Sequence, residues 1–138
     1  MQISAHIDNR RGEHRVMVRT GEHAQRLEVA PKASGAGSSV SGGELLFVAL
    51  ATCYCNDLYR EAAGRNVTLE HVEVTVTGEF GAAGEPARNV RYTAKVAARA
   101  SAGEIQALLE HTDRVAEVHN TLRVGTPVVL TRAEVVLV

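Results

Sequence analysis

The sequence of 138 residues predicts an α+β domain in which antiparallel strands cover two helices. Apolar and polar residues alternate in the segments 2–30, 67–77 and 90–98, as is typical of strands with one buried face. Two longer segments have helical periodicity, and each begins with a serine followed three positions later by a glutamate, the pattern of a capping box. The length and the 45% hydrophobic content suit one domain over residues 1–138.

The composition argues against two classes of partner. Fifteen Lys and Arg residues against sixteen Asp and Glu residues give a net charge of −1, without the basic excess of a nucleic-acid binder. No apolar run approaches the roughly 18 residues of a membrane span, and the first residues, MQISAHIDNRRGE, lack the apolar centre of a signal peptide. We therefore expect a cytoplasmic protein with no nucleic-acid or membrane partner.

Residues 2–30 predict three short strands with turns at 8–12 and 20–22. The alternation of Val16 and Val18, repeated by Leu27 and Val29, predicts that one face of this sheet is buried. The small and polar segment 31–43 then predicts a loop of about a dozen residues, a length that suits either a functional loop or a plain linker.

The segment 41–65, SGGELLFVALATCYCNDLYREAAGR, predicts the central helix. Ser41 and Glu44 form its capping box, and Gly64 is a natural stop. Because residues 45–51 are apolar nearly all round the helix, its first half is expected to be buried on every side.

The second half of the chain predicts a hairpin, a helix and a strand. Strands at 67–77 and 90–98 are expected to pair across a turn at 78–86. Ser101 and Glu104 form a second capping box, which opens a helix whose apolar stripe continues to His119. The apolar segment 128–138 predicts a final β segment.

Both cysteines lie on the central helix, but they are not equivalent. Successive helical residues turn by about 100°, so Cys53 and Cys55 point about 200° apart and cannot serve one pocket. Cys55 continues an apolar row, which predicts a buried packing residue. Cys53 lies on a row that becomes polar at Asp57, so it is either a candidate nucleophile or another core thiol. No second cysteine pair completes a zinc site or a disulfide framework.

Other polar residues give weaker signals. The six histidines have no metal-binding spacing, so no metal or cofactor is predicted. His119 either faces a pocket or, as we favour, is a helix-terminal residue stabilised by the helix dipole. Asn56 and Asp57 are interpreted as the start of a solvated face rather than as part of a site, and Tyr54 and Tyr59 as packing residues.

Two motifs resemble those of a known family. Residues 44–53, ELLFVALATC, resemble the E-L-L-x-A-A-L-A-x-C helix of the OsmC/Ohr superfamily, and residues 118–123, VHNTLR, are similar to the segment that follows its second cysteine, C-P-V-x-N-T-L. The order of elements agrees over nearly the whole chain. The resemblance implies an α+β fold, an intertwined homodimer with the central helices buried in the shared body, and active sites at the subunit interface.

The resemblance also implies roles for particular residues. In typical members a first cysteine attacks a peroxide, a second cysteine resolves the sulfenic acid, and a glutamate orients an arginine that lowers the thiol pKa. Carried over, Cys53 is the peroxidatic thiol and Glu44 the glutamate, although Glu44 is equally the capping-box residue. Arg10 and Arg11 are the candidates for the arginine.

The sequence departs from the family at the second cysteine. Residues 116–118, Ala-Glu-Val, occupy that place, and no cysteine lies outside the central helix. One hypothesis is therefore a one-cysteine reductase of organic hydroperoxides, working as a homodimer with an external thiol as reductant. The alternative is a non-catalytic scaffold that has lost the redox pair and binds a small apolar or thiol-containing ligand at the dimer interface.

Overall fold

The structure is a computed structural model that describes all 138 residues. It confirms an α+β fold built from antiparallel strands, with three helices instead of the two expected. The chain divides into two compact units, residues 1–46 and 47–138. In chain order the elements are β1 (Ile3–Arg10), β2 (Glu13–Thr20), β3 (His23–Leu27), α1 (Gly42–Gly64), β4 (Thr68–Glu79), β5 (Arg88–Arg99), α2 (Ala102–Val115) and α3 (Glu117–Arg123).

The first unit contains the three predicted strands, which form an antiparallel sheet in the order β1-β2-β3. The register places Ile3 opposite Thr20 and Val16 opposite Leu27. The predicted buried face is mostly wrong, because Val16 is the only buried residue of these strands. This unit is one sheet with one loop, so it has no second layer of its own to bury that face.

The segment after β3 is a loop, as predicted, and hydrogen bonds within its own backbone hold it in shape. Lys32 N donates to Gly37 O at 3.0 Å, and Ser39 N donates to Ala30 O at 2.9 Å. Gly37 has a φ of 102°, which a residue with a side chain rarely adopts. Its amide also donates to Asn9 Oδ1 at 3.1 Å, which anchors the loop to the end of β1.

Helix α1 begins and ends where the sequence predicts. Ser41 N donates to Glu44 Oε1 at 3.0 Å, and Glu44 N donates to Ser41 Oγ at 3.1 Å, so both halves of the capping box are formed. After Gly64 the chain turns through Asn66, whose φ of 57° is left-handed, and Val67 N donates to Ala62 O at 2.9 Å.

The second unit is centred on the predicted hairpin. Strands β4 and β5 pair in antiparallel register, with Val74 opposite Ala94 and Val76 opposite Tyr92. The core cluster consists of side chains from α1 and α2, with partly buried hairpin residues packed against it; its buried members are Tyr54, Leu58, Ala62 and Leu108.

The burial of α1 is narrower than predicted. In this chain Leu45 is 40% and Val48 56% exposed. The buried residues of the helix form one stripe instead: Leu50, Tyr54, Asp57, Leu58 and Ala62. The hairpin and α2 both pack on the side of α1 that carries this stripe. The opposite side of the helix has no other element of the second unit packed on it.

Two predictions about the C-terminal part are wrong. The apolar stripe predicts one helix to His119, but Ala116 is extended (φ −67°, ψ 110°) and separates α2 from α3. Asn120 Nδ2 donates to Arg114 O at 3.0 Å and satisfies a carbonyl at the end of α2, which stabilises the break. The segment 128–138 forms no strand and is exposed, because no strand edge of the chain pairs with it.

None of the helices is sufficiently long and apolar to span a membrane.

The second capping box gives a stability prediction. Glu104 N donates to Ser101 Oγ at 3.2 Å and Ser101 N donates to Glu104 Oε2 at 2.9 Å. Ser101→Ala should lower the free energy of unfolding by about 1 kcal/mol, because the backbone amide of Glu104 loses its hydrogen-bond acceptor. Urea unfolding measures this, with Ser34→Ala in the exposed loop as the control. Equal effects of the two substitutions would contradict the capping role.

Candidate functional site

The candidate site lies where α1 meets α3 and is centred on the thiol of Cys53. This cysteine is free and half-buried. Its Sγ lies 3.6 Å from Asp57 Oδ2, one turn further along α1, and 3.9 Å from Glu117 Oε2, the first residue of α3. The backbone amide of Val118 lies near the sulfur and lowers the pKa of the thiol. The break at Ala116 thus brings a carboxylate and an amide to the thiol.

Asp57 belongs to this site, so its interpretation as part of a solvated face is wrong. Its neighbour Asn56 is exposed, as expected. Asp57 is only 6% exposed. Arg60 Nη1 lies 3.0 Å from Asp57 Oδ1 and 3.3 Å from Glu117 Oε1. One guanidinium therefore bridges the two carboxyl groups that face Cys53.

Sequence reasoning missed Arg60 and Glu117. Arg60 follows Asp57 by three positions and Cys53 by seven, so helical spacing alone places all three on one side of α1. That signal was available in the sequence. The sequence contains no comparable signal for Glu117, because its place at the site depends on the break at Ala116.

The charges around Cys53 oppose ionisation of the thiol. Burial raises its pKa, and Asp57 and Glu117 raise it further, while the amide of Val118 lowers it. Burial and the neighbouring carboxyl group of Glu117 also raise the pKa of Asp57. The pKa of Glu117 is lowered by backbone and Asp57 hydrogen bonds and by Arg60. Of the two carboxyl groups, Asp57 therefore binds a proton more readily than Glu117.

Cys53, Asp57 and Glu117 could in principle hold a metal ion, since one ligand atom from each lies within 4.8 Å of the others. A structural zinc site uses four ligands, usually Cys or His. Here Arg60 already pairs with both carboxyl groups. The arrangement fits proton transfer at a thiol better than metal binding.

Cys55 has surroundings of its own. It is half-buried instead of buried as predicted, because it borders an open surface cavity of about 280 Å³. The other lining residues come from α1 and β4: Ala51, Thr52, Asn56 and Val74. None of them belongs to the Cys53 site, as expected from the 200° separation of the two cysteines.

The other three predicted site residues lie in the first unit. Glu44 bonds to Ser41, and these hydrogen bonds lower the pKa of its carboxyl group. Arg10, at the end of β1, pairs with Glu13 at 3.7 Å, and Arg11 is exposed in the following turn. The observed partners of Glu44 and Arg10 are thus neighbours in the sequence. The guanidinium at the carboxyl groups of the Cys53 site is that of Arg60.

His119 is buried, which rules out our preferred interpretation as a dipole-stabilised terminal residue. It is 4% exposed, and neither ring nitrogen has a hydrogen-bond partner. The ring meets Tyr92 edge-on at 4.7 Å between centroids and lies 6.0 Å from Tyr54. Burial lowers its pKa, so the imidazole is neutral in the folded chain.

The two other tyrosines that we interpreted as packing residues differ from each other. Tyr54 is buried and its hydroxyl donates to Leu109 O at 2.8 Å, as expected of a packing residue with a polar tip. Tyr59 is 45% exposed, so it packs less closely than expected of a packing residue.

Buried neutral His119 predicts that acid destabilises the fold. An unfolded chain binds a proton on this histidine below about pH 6.5, whereas the folded chain binds it only at lower pH. Stability therefore falls as the pH falls, by at most about 1.4 kcal/mol per pH unit. We expect His119→Leu to flatten the dependence of the free energy of unfolding on pH between about 7.5 and 5.5. The same change at exposed His23 should leave the slope unaltered. Identical slopes in wild type and His119→Leu would contradict the assignment.

Comparison with known proteins points to one family. The model of the family described as OsmC-like protein matches residues 35–131. No curated protein matches the chain in sequence.

Several solved structures share the fold. An OsmC-like protein from Mycoplasma pneumoniae superposes with a TM-score of 0.61 at 19% identity, covering 87% of each chain. An organic hydroperoxide resistance protein from Elizabethkingia anophelis gives a TM-score of 0.59 at 18% identity and covers 89% of each chain. One from Legionella pneumophila gives 0.58 at 18% identity, over 89% of this chain and 90% of that one. At these identities the likeness concerns the fold.

Proposed function

The chain belongs to the OsmC-like family, and on that premise we propose that it reduces organic hydroperoxides with Cys53 as its nucleophile and an external thiol as its reductant. The observation that carries the proposal is the contact of the free Cys53 thiol with two carboxyl groups that can move its proton. The organic hydroperoxide resistance proteins of similar fold supply the substrate class.

The first step forms a sulfenic acid. The ionised Glu117 takes the thiol proton, and the thiolate attacks the terminal oxygen of the hydroperoxide. The O–O bond breaks, and Asp57 gives its proton to the leaving alkoxide, which departs as an alcohol. A proton then passes from Glu117 to Asp57 across their hydrogen bond and restores the starting state. Cys53 is oxidised by two electrons and the peroxide is reduced by two.

The second step needs a thiol from outside the chain. Ala116 stands at the family position of the second cysteine, and Cys55 lies in a separate environment. A low-molecular-weight thiol attacks the sulfenic sulfur, releases water and leaves a mixed disulfide. A second thiol attacks that disulfide, returns Cys53 to its reduced state and leaves as the disulfide of the reductant.

The working unit in this proposal is an intertwined homodimer. The exposed apolar side chains of α1, Leu45 and Val48, and the exposed apolar segment 128–138 support it, since a single chain leaves them in water. In this dimer the proposal keeps, from the resemblance to the family, an activating role at the interface for Glu44 and for Arg10 or Arg11. The mass in solution should be twice the 14.8 kDa of one chain, and a monomeric mass from light scattering would exclude the dimer.

A coupled assay tests the proposed activity. With cumene hydroperoxide as substrate and dithiothreitol as reductant, the protein should consume the peroxide catalytically. Because the pKa of Cys53 is raised, the rate should increase from neutral to alkaline pH. Consumption no faster than without protein would exclude the enzyme and leave the non-catalytic binding protein as the better hypothesis.

The role of Asp57 gives a separate prediction. Asp57→Asn keeps the size and polarity of the side chain but cannot donate a proton to the alkoxide, so kcat should fall about tenfold or more with KM little changed. Glu61→Gln is the matched control, because Glu61 lies on the same helix and also pairs with Arg60, at 3.2 Å. Full activity of Asp57→Asn would show that the leaving alcohol takes its proton from elsewhere.

A further inference from the structure

The Cys53 site carries more negative than positive charge. Besides Asp57 and Glu117, a third carboxyl group, that of Glu61, lies 3.2 Å from Arg60 Nη2. The same guanidinium pairs with Asp57 at 3.0 Å and with Glu117 at 3.3 Å. One guanidinium therefore serves three carboxyl groups, and negative charge is in excess even when Asp57 holds a proton.

We propose that the external thiol that reduces Cys53 is an aminothiol, a small thiol with an ammonium group two carbon atoms from its sulfur, and that Glu117 selects it against thiols that carry a carboxylate. This inference rests on the proposed function, because it names the reductant of the second step.

The first argument is the position of Glu117. Its Oε1 lies 3.3 Å from Arg60 Nη1, while its Oε2 lies 3.9 Å from Cys53 Sγ. The side chain is 65% exposed, so a small molecule reaches it from the solvent. When the reductant forms a mixed disulfide with Cys53, an ammonium group two carbon atoms beyond its sulfur can approach this carboxylate. A carboxylate in the same place faces a like charge instead.

The second argument concerns the other cations of the second unit. His111 Nε2 lies 3.5 Å from Glu61 Oε2, and this imidazole is charged only when protonated. Arg114, near the end of α2, lines a separate groove with Tyr54 and Tyr92 and makes no ion pair with Glu117. Arg60 is thus the one guanidinium paired with the carboxyl groups at the thiol, and it is shared between them. An anionic reductant finds no free partner there.

Thiol–disulfide exchange with three disulfides tests the proposal without peroxide. Cystamine ends in ammonium groups, hydroxyethyl disulfide is uncharged, and dithiodipropionate ends in carboxylates. In each case the Cys53 thiolate attacks one sulfur, forms the mixed disulfide and releases the other half as a thiolate, so the product has the same bond as the intermediate of the second step. Rates are measured in Cys55→Ser at about pH 8 and divided by the rates of the same disulfides with mercaptoethanol.

At low salt, cystamine should react about tenfold faster than dithiodipropionate after this correction, with hydroxyethyl disulfide between them. The preference should nearly vanish in about 1 M salt, where charges are screened beyond about 3 Å. Equal corrected rates at low salt, or no exchange at Cys53 with any of the three, would overturn the proposal. A preference for dithiodipropionate would also overturn it, and would show that a cation such as Arg10 or Arg11 of the dimer outweighs the carboxyl groups.

Two substitutions locate the selecting charge. Glu117→Gln should lower the preference for cystamine roughly threefold. Glu73→Gln removes the same charge between Val72 and Val74, which pack on the core, so it acts on the opposite face of β4 and should leave the preference unchanged. A change in the pKa of the thiol affects all three disulfides alike and cancels in the ratio.

An unchanged preference in Glu117→Gln would overturn the role of Glu117. Peroxide consumption with dithiothreitol, which is uncharged, tests the enzyme separately, so a failure of the charge selection and a failure of the proposed function give different results.

Discussion

Cys53→Ser is expected to lower the rate of cumene hydroperoxide reduction by at least about a hundredfold, to the rate without protein. A serine hydroxyl at this position is not ionised and is a poor nucleophile towards peroxide oxygen, and it cannot form a mixed disulfide with the external thiol. The substitution removes one half-buried sulfur, so the fold should be retained and circular dichroism should match that of the wild type.

Cys55→Ser is the matched control for this experiment. It removes the other thiol of the same helix, which borders a different cavity, and should leave the rate within about twofold. If Cys55→Ser abolished activity and Cys53→Ser did not, the two cysteines would have the opposite roles. Equal losses would indicate that both thiols take part, which the geometry of an intact α1 opposes.

Leu58→Ala is expected to lower the free energy of unfolding by about 2–5 kcal/mol, the largest stability effect that we predict. Leu58 has no exposed surface and packs in the core cluster with Tyr54, Ala62 and Leu108. Truncation removes three carbon atoms, the branched Cγ and its two methyl groups, and leaves a cavity between α1 and α2 that the surrounding side chains fill only in part.

Urea unfolding measures the effect of Leu58→Ala. Leu27→Ala removes the same atoms from a side chain on β3 that is 44% exposed, and should cost less than half as much. Similar costs at the two positions would mean that the core cluster of the second unit does not dominate the stability of the chain.

Local signals in the sequence predicted most of the elements correctly. Both capping boxes form, at Ser41 and at Ser101, and α1 ends at Gly64. The hairpin follows the alternation of its two strands. These features depend on residues a few positions apart, and their hydrogen bonds form inside the segment that carries the signal.

The errors concern features that depend on distant parts of the chain. The extended conformation of Ala116 interrupts a continuous apolar stripe, and the sequence around it has no proline or glycine that would predict the end of a helix. The segment 128–138 has the composition of a strand but no partner edge in the chain. Hydrophobic periodicity shows which residues favour burial, but it does not show which surface will cover them.

At the candidate site, too, local signals predicted correctly, and the error concerns contacts between distant parts of the chain. Family resemblance drew attention to Cys53, and helical rotation separated it from Cys55. The interpretation of Asp57 failed because its partners include Glu117 of α3, which shares Arg60 with it and reaches α1 only after the break at Ala116. The resemblance suggested Arg10 or Arg11 as the activating arginine, which stays a prediction. The guanidinium that bridges the two carboxyl groups in this chain belongs to Arg60, seven residues after Cys53.

The central claim is that Cys53 is the residue that a hydroperoxide oxidises. It is tested most directly by treating the reduced protein with one equivalent of cumene hydroperoxide, trapping sulfenic acid with dimedone and mapping the adduct by peptide mass spectrometry. We predict an adduct on Cys53 that is absent when dithiothreitol is added before the dimedone. An unmodified Cys53, or an adduct on Cys55 alone, would contradict the proposed function.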